Sequence, residues 1–258
     1  DDPENTIASI AQENDAEGTH VDDIFQDNTA SFSQVLTLDN GCDATTFTDF
    51  GDNNAECTND VADNDLHAVV QGNSATGQDD VFIDQDNNLV VTQVTSASNN
   101  CDSTGRNEAD CRTDNAGNHI ESITQTNTAT GDDFASITQS NDATIDQNTD
   151  LLNSCDESGA GINSADCDNL DVIDFNNVIG PVSQSNDANG EEDSAVTQSN
   201  VIDVTQNLEG TNDCDEANTG DNNADCSTEI FNNIDSITQS NSITDVTESQ
   251  SNVFTVNQ

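Results

Sequence analysis

Glutamines recur along this chain on a fixed ruler. Gln12, Gln26, Gln34 and Cys42 are separated by 14, 8 and 8 residues, and so are Gln71, Gln85, Gln93 and Cys101. The same spacing sets Gln125, Gln139, Gln147 and Cys155, and again Gln184, Gln198, Gln206 and Cys214. A fifth, shortened copy starts at Gln239 and ends with Gln250 and Gln258, 8 apart. A period of roughly 55–60 residues marks a repeat architecture in which each unit stacks on the next. The repeats run about 5–60, 61–114, 115–170, 171–229 and 230–258, within a single domain, 1–258.

Within a copy the pattern has period two. From Ile137 alternate positions read Ile137, Gln139, Asn141, Ala143, Ile145, Gln147, Thr149, Leu151, Asn153, Cys155, while the other parity is mostly Ser, Thr and Asp. Period two, with Val, Ile and Thr, predicts β-strands with one dry and one wet face. Gln and Asn share the apolar parity, and a buried amide is costly unless paired. Identical amides stacked about 4.8 Å apart pair cheaply, each bonding the copy above and below. Gln12, Gln71, Gln125, Gln184 and Gln239 then form one ladder. Gln26, Gln85, Gln139 and Gln198 form a second, and Gln34, Gln93, Gln147 and Gln206 a third, with Gln250 and Gln258 in the fifth copy. Such ladders require parallel, in-register stacking. The expected fold is therefore all-β, a parallel β-solenoid of five stacked repeats; a propeller leaves the ladders unexplained. One rung per repeat superposes the glutamines directly, with two shorter rungs as the alternative.

Gly18, Gly77, Gly131 and Gly190 each lie six residues after the first glutamine and read as corners. Acidic clusters follow them: Asp22 and Asp23, Asp79 and Asp80, Asp132 and Asp133, and Glu191, Glu192 and Asp193. Eight cysteines fall in local pairs, Cys42/Cys57, Cys101/Cys111, Cys155/Cys167 and Cys214/Cys226. There is no C-x-x-C and no zinc-like pattern with His20, His67 or His119. Even number, proximity and one pair per repeat predict four disulfide-closed loops and an oxidising, extracellular setting. The alternative is reduced cysteine used as small apolar filler.

Asn28-x-Ala30-x-x-x-Gln34 and Asn141-x-Ala143-x-x-x-Gln147 resemble the second half of the curlin repeat, the unit of bacterial curli fibres. Leu89 and Ile202 replace the alanine in two other copies. The first half departs, because the preceding glutamine lies only two residues before the asparagine. Curlin repeats are also much shorter and lack the cysteine loop. The resemblance implies a secreted, amyloid-like structural fibre with inward Gln and Asn ladders.

The formal charge is -50, with two arginines, Arg106 and Arg112, and no lysine. Such a surface excludes nucleic acid as a partner, and no apolar run is long enough to insert in a membrane. Composition alone would favour disorder; the fixed register overturns that. The chain has no methionine and is read as a mature chain with its leader removed, the other reading being a fragment. No nucleophile–histidine pattern, P-loop or dinucleotide fingerprint is present, so an enzyme is not expected. No cofactor is required. Calcium is the one ion invited by the acidic corners, with a solvated acidic coat as the competing reading. No N-x-S/T sequon occurs among the many asparagines. Either packing excludes glycans, or inward asparagines are followed by residues that do not match.

The ladder residue Gln12 lies close to one end of the sequence and Gln258 closes the other. Open strand edges associate edge to edge, and heterologous stacking that does not close makes a filament. The expected function is a subunit of an extracellular filament whose partners are identical copies joined head to tail. The alternative is a monomeric or cell-anchored, calcium-binding adhesin or surface-binding solenoid. A regular exposed Thr-x-Thr array would favour ice binding, and none is expected.

Overall fold

Alternation of apolar or amide residues with small polar ones dictates strands, and strands make up nearly all of the described residues. The structure, a computed structural model, describes residues 4–19, 23–45, 52–59, 62–104, 106–114, 116–132, 134–158, 163–170, 177–190, 194–217, 222–229, 231–244 and 247–258. The first repeat contains β1 (Glu4–Ile7), β2 (Ile10–Thr19), β3 (Asp23–Thr45) and β4 (Asp52–Asn59). The second contains β5 (Ala62–Leu66), β6 (Val69–Gln78), β7 (Phe82–Thr104) and β8 (Arg106–Asp114). The third contains β9 (Ala116–Ile120), β10 (Ile123–Gly131), β11 (Ser136–Ser158) and β12 (Asn163–Leu170). The fourth contains β13 (Asn177–Ile179), β14 (Val182–Gly190), β15 (Ala195–Ala217) and β16 (Asn222–Glu229). The fifth contains β17 (Asn232–Ile234), β18 (Ile237–Thr244) and β19 (Thr247–Asn257).

Equivalent strands pair with equivalent strands, in parallel, across all copies. The sheet orders are β1-β5-β9-β13-β17, β2-β6-β10-β14-β18, β3-β7-β11-β15-β19 and β4-β8-β12-β16. The register superposes Gln12 on Gln71, Gln125 on Gln184, and Cys101 on Cys155. Each repeat is thus one rung of a parallel β-solenoid, and the two-rung alternative is set aside.

The cross-section has two layers. The third sheet is built from 23-residue strands in four copies. Opposite it lie the three short sheets, end to end. Asn14 reaches the carbonyl of Asp27, Asn5 that of Val35, and Asn40 that of Thr58. One long strand therefore faces a short strand of the second sheet, then the first, then the fourth. The segments expected as cysteine loops are largely this fourth sheet.

The interior is banded along each long strand. An apolar corner cluster contains Ile83, Val81, Ile137, Ala135 and Val196. A second cluster contains Leu66, Leu89, Ile123, Ile145 and Ile202. Between them lie buried Gln85, Asn87, Gln139 and Asn141, and beyond the second lie Gln93 and Gln147. At the far edge Cys57, Cys101, Cys111 and Cys155 stack in a column.

The glycine corners have a specific cause. A Cβ on Gly77 would lie 2.3 Å from Val81 Cγ1, and one on Gly131 would lie 2.4 Å from Ala135 Cβ. Glycine is used there because the chain turns back on itself within a few residues. The left-handed backbone is carried by other residues, Asp79 (φ 54°), Asp80 (φ 50°) and Phe134 (φ 63°). Aspartate tolerates that conformation better than most side chains.

Candidate functional site

The repeated, buried feature of this fold is the set of amide ladders, and each expected column forms. Gln71 donates to Gln12, Gln125 to Gln71, Gln184 to Gln125 and Gln239 to Gln184, at 2.9, 2.9, 2.7 and 3.0 Å. In the second column Gln85 donates to Gln26, Gln139 to Gln85, Gln198 to Gln139 and Gln250 to Gln198. In the third, Gln93 donates to Gln34, Gln147 to Gln93, Gln206 to Gln147 and Gln258 to Gln206.

The second amide proton crosses between layers. Besides its column bond, Gln71 Nε2 lies 3.0 and 3.1 Å from the carbonyls of Asn28 and Asn88, in successive rungs of the long sheet. Gln139 Nε2 likewise reaches the carbonyl of Asp187 at 3.2 Å. Each amide therefore ties two rungs and two layers, which offsets the cost of burying it.

Asparagine columns run beside them. Asn14, Asn73, Asn127, Asn186 and Asn241 form one, each amide bonding the next oxygen. Asn28, Asn87, Asn141, Asn200 and Asn252 form its counterpart in the long sheet. The two columns also bond each other, as in Asn127 to Asn141 at 3.1 Å. A further column, Asn5, Asn64, Asn118, Asn177 and Asn232, occupies the first sheet. Sequence reasoning did not find that one, although each member lies seven residues before the first glutamine of its copy: the odd offset takes it out of the glutamine parity. Among the described residues, Asn99 Oδ1 is the buried side-chain polar atom without a hydrogen bond.

The two residue types have opposite polarity. Every glutamine above donates to the rung before it, and every asparagine column donates to the rung after it. At the first-rung face, the amide nitrogens of Gln12 and Gln26 bond only carbonyls, of Thr29 and Ser74. At the fifth-rung face, no described residue donates to the Oε1 atoms of Gln239, Gln250 and Gln258. Both faces open onto the interior. Ile234, Ile237, Gln239, Asn252 and Phe254 line a cleft of about 510 Å³, and Asn5, Ile7, Gln34 and Val35 line one of about 530 Å³. Ile7 and Phe32 at one face, and Ile234, Ile237 and Val256 at the other, are only partly covered members of the core.

The cysteines form Cys42–Cys57 and Cys101–Cys111, with Cα separations of 5.9 and 6.2 Å. Each closes the end of a long strand onto the fourth sheet. Cys155 and Cys214 are also disulfide-bonded, and there is no free cysteine among the described residues. The side chains of Cys167 and Cys226 lie outside the described ones, but their backbones stand in register.

The acidic corners are less regular than expected. Asp23 opens β3 and stacks on Phe82 and Ser136, away from Asp79 and Asp80. Asp22, Asp133, Glu191, Glu192 and Asp193 lie outside the described residues. Among the described residues no group of three or more His, Cys, Asp or Glu is arranged to hold a metal ion.

Carboxylates crowd elsewhere. Burial, with Asp84 and Asp27 nearby, raises the Asp86 carboxyl above its usual range. Burial and Asp203 do the same for Asp142. Asp63 is pushed up to about 6 by burial first and then by Glu4. On the same outer face His119 Nδ1 meets Asp65 Oδ1 at 3.1 Å, and His67 Nδ1 meets Glu121 Oε2 at 2.9 Å. The Glu121 hydrogen bond and the Asp65 charge raise the His67 pKa. Both pairs are 54 residues apart, the offset between the second and third repeats, so the repeat spacing itself contained this signal.

The threonine row that an ice-binding array would repeat is confined to one of the described strands. Thr124, Thr126, Thr128 and Thr130 alternate with buried residues along β10 and point outward. In neighbouring strands their column partners include Val70, Gly72, Asp187 and Asn189, so a single strand carries the full threonine row. The missing sequons also have an explanation here. For Asn14, Asn28, Asn73, Asn87, Asn127 and Asn141, residue i+2 shares the inward parity and is Ala or Leu.

No family model matches the chain, and neither a curated protein nor a solved structure matches it.

Proposed function

We propose that this chain is the structural subunit of an extracellular filament, assembled head to tail by continued β-stacking. The observation that carries the reading is the one-way polarity of the ladders from rung to rung, glutamine donating to the rung before and asparagine to the rung after. Unengaged glutamine oxygens on the fifth-rung face complement glutamine N–H groups on the first-rung face of another copy. Asparagine supplies the reverse complement, from the Asn252 amide to the Asn14 oxygen. Joining two like faces reverses the strand direction and breaks the column-on-column match of the ladders. The contact is therefore heterologous, and a heterologous contact that does not close propagates. Each rung plane inside the chain already uses this interface, so the reading does not depend on how many rungs one chain holds. The part-covered core residues at each face add an apolar contribution. Disulfides support an oxidising, extracellular setting. Identical copies are the partners in this reading, and no cofactor is invoked.

Purified protein should form unbranched filaments in negative stain. Every five rungs should add about 24 Å at the usual strand spacing, with a fibre-diffraction repeat near 4.8 Å. Monodisperse monomers by light scattering at high salt and at mildly acidic pH would overturn the proposal.

A further inference from the structure

The outer face of the second sheet is chemically unlike the rest of this acidic molecule. Outward residues on β6 are Val70, Gly72, Ser74, Thr76 and Gln78. On β10 they are the four threonines, on β14 Ser183, Ser185, Asp187 and Asn189, and on β18 Thr238, Ser240, Ser242 and Thr244. Asp187 is the one carboxylate among them. The outer face of the long sheet, by contrast, carries Asp84, Asp86, Asp142, Asp146, Asp150 and Asp203. In a chain of formal charge -50, a nearly uncharged facet is where two copies can approach without strong repulsion.

A second observation concerns Gly72. It lies mid-strand in β6, and a Cβ there would meet nothing within 4 Å. Nothing within the chain requires glycine at this place, and glycine weakens a strand. Glycine inside a strand marks a bulge, a bend or the close approach of a ligand or another backbone, and the unbroken register of Gly72 with Glu13 and Thr126 sets aside the first two. Small side chains, high β-propensity and low charge are also the properties of faces that interdigitate dryly.

We infer that this facet is a lateral self-association surface, against which the same facet of a second copy packs face to face. Its size bears on how it works. Four rungs at about 4.8 Å and eight residues at about 3.3 Å give roughly 500 Å² per copy, below the ~800 Å² per partner of a standard interface. Single subunits therefore pair weakly. Copies aligned in a filament present the facet repeatedly, and the weak contacts act together. In the first rung Glu13, Asp15 and Glu17 occupy the same outer face, so pairs that offset these acidic rows are favoured.

The test introduces one thiol into each of two variants, Thr128→Cys at the centre of the facet and Thr144→Cys on the outer face of the long sheet. Both sites are exposed in the third rung. Each is treated with a short bismaleimide, as concentrated soluble subunits and under assembly conditions. Thr128→Cys should form covalent dimers about ten-fold faster, the effective-concentration advantage of a pre-associated pair. Equal rates, or faster linkage at Thr144→Cys, would overturn the inference; a facet that takes ice or a carbohydrate instead gives that result. The soluble-subunit arm reads the facet even if filaments never form, so failure of head-to-tail assembly is separately visible. In filaments, Gly72→Glu combined with Thr126→Glu should leave length unchanged and reduce bundles to single filaments. Bundles of unchanged width would count against the facet.

Discussion

A single buried amide in this protein has three partners, and that multiplicity sets its worth. Gln139 donates to Gln85 and to the Asp187 carbonyl, and accepts from Gln198. Gln139→Leu fits the volume but strands those groups. The expected loss is about 2–4 kcal/mol, since each buried group left unpaired costs about 1–3 kcal/mol. Ser140→Leu, one residue away on the wet face, should change stability by about 0.5 kcal/mol or less. Urea unfolding of both variants checks the contrast, and equal losses would reverse the assignment of faces. Asp63 makes a different single-residue case. Its folded pKa, about 6, lies above the ordinary aspartate value of 3.8. Its contribution is therefore fully present below the unfolded pKa and is lost as pH rises through the folded one. Asp63→Asn should stabilise the protein at pH 7–8 by about 1–2 kcal/mol, discounted for partial exposure. The gain should vanish below the unfolded pKa, at about pH 3. A gain that persisted there would place the cause outside this ionisation.

At the scale of elements, the corners control how the two layers meet. Gly131 closes β10, and Ala135 precedes β11, so the turn between them brings their inward faces together. Gly131→Ala would drive a methyl to 2.4 Å from Ala135 Cβ, an overpacking expected to cost about 1–3 kcal/mol. Ala135→Gly in the same chain removes the opposing methyl and should recover most of that loss in thermal unfolding. No recovery would mean that backbone conformation, rather than the contact, requires glycine. The disulfides act at the other edge, where Cys101–Cys111 spans 10 residues between β7 and β8. In the chain-entropy account such a loop contributes about 3 kcal/mol, and it ties the long sheet to the fourth.

The whole molecule sets stacking against charge. Ladders and backbone bonds add with every rung, while 52 acidic residues against two basic ones repel one another. Exposed charges are screened over about 8–10 Å at moderate salt. Filament growth should therefore be faster in salt than in dilute neutral buffer. Mild acid should act in the same direction, because the raised carboxyls of Asp63, Asp86 and Asp142 take up protons there. Calcium serves as the comparison. An effect beyond that of monovalent salt at equal ionic strength would point to bound ions at the acidic corners.

What the amino-acid order determines by itself is whatever repeats within one strand and from copy to copy. The inward parity of Gln139, Asn141 and Ala143 and the three glutamine columns follow from period two and identical spacing, whereas one rung per repeat, rather than two shorter ones, came from the strand register. Tertiary structure decided which strand faces which. It folded three short strands against one long one and turned supposed cysteine loops into a fourth sheet. It also supplied backbone carbonyls for the second amide proton. It separated an uncharged facet from an acidic one, although both read simply as the wet parity. The reason is physical. Side-chain alternation is a property of local backbone geometry, whereas layer pairing, donor direction and the company kept by each outward residue depend on contacts between segments tens of residues apart.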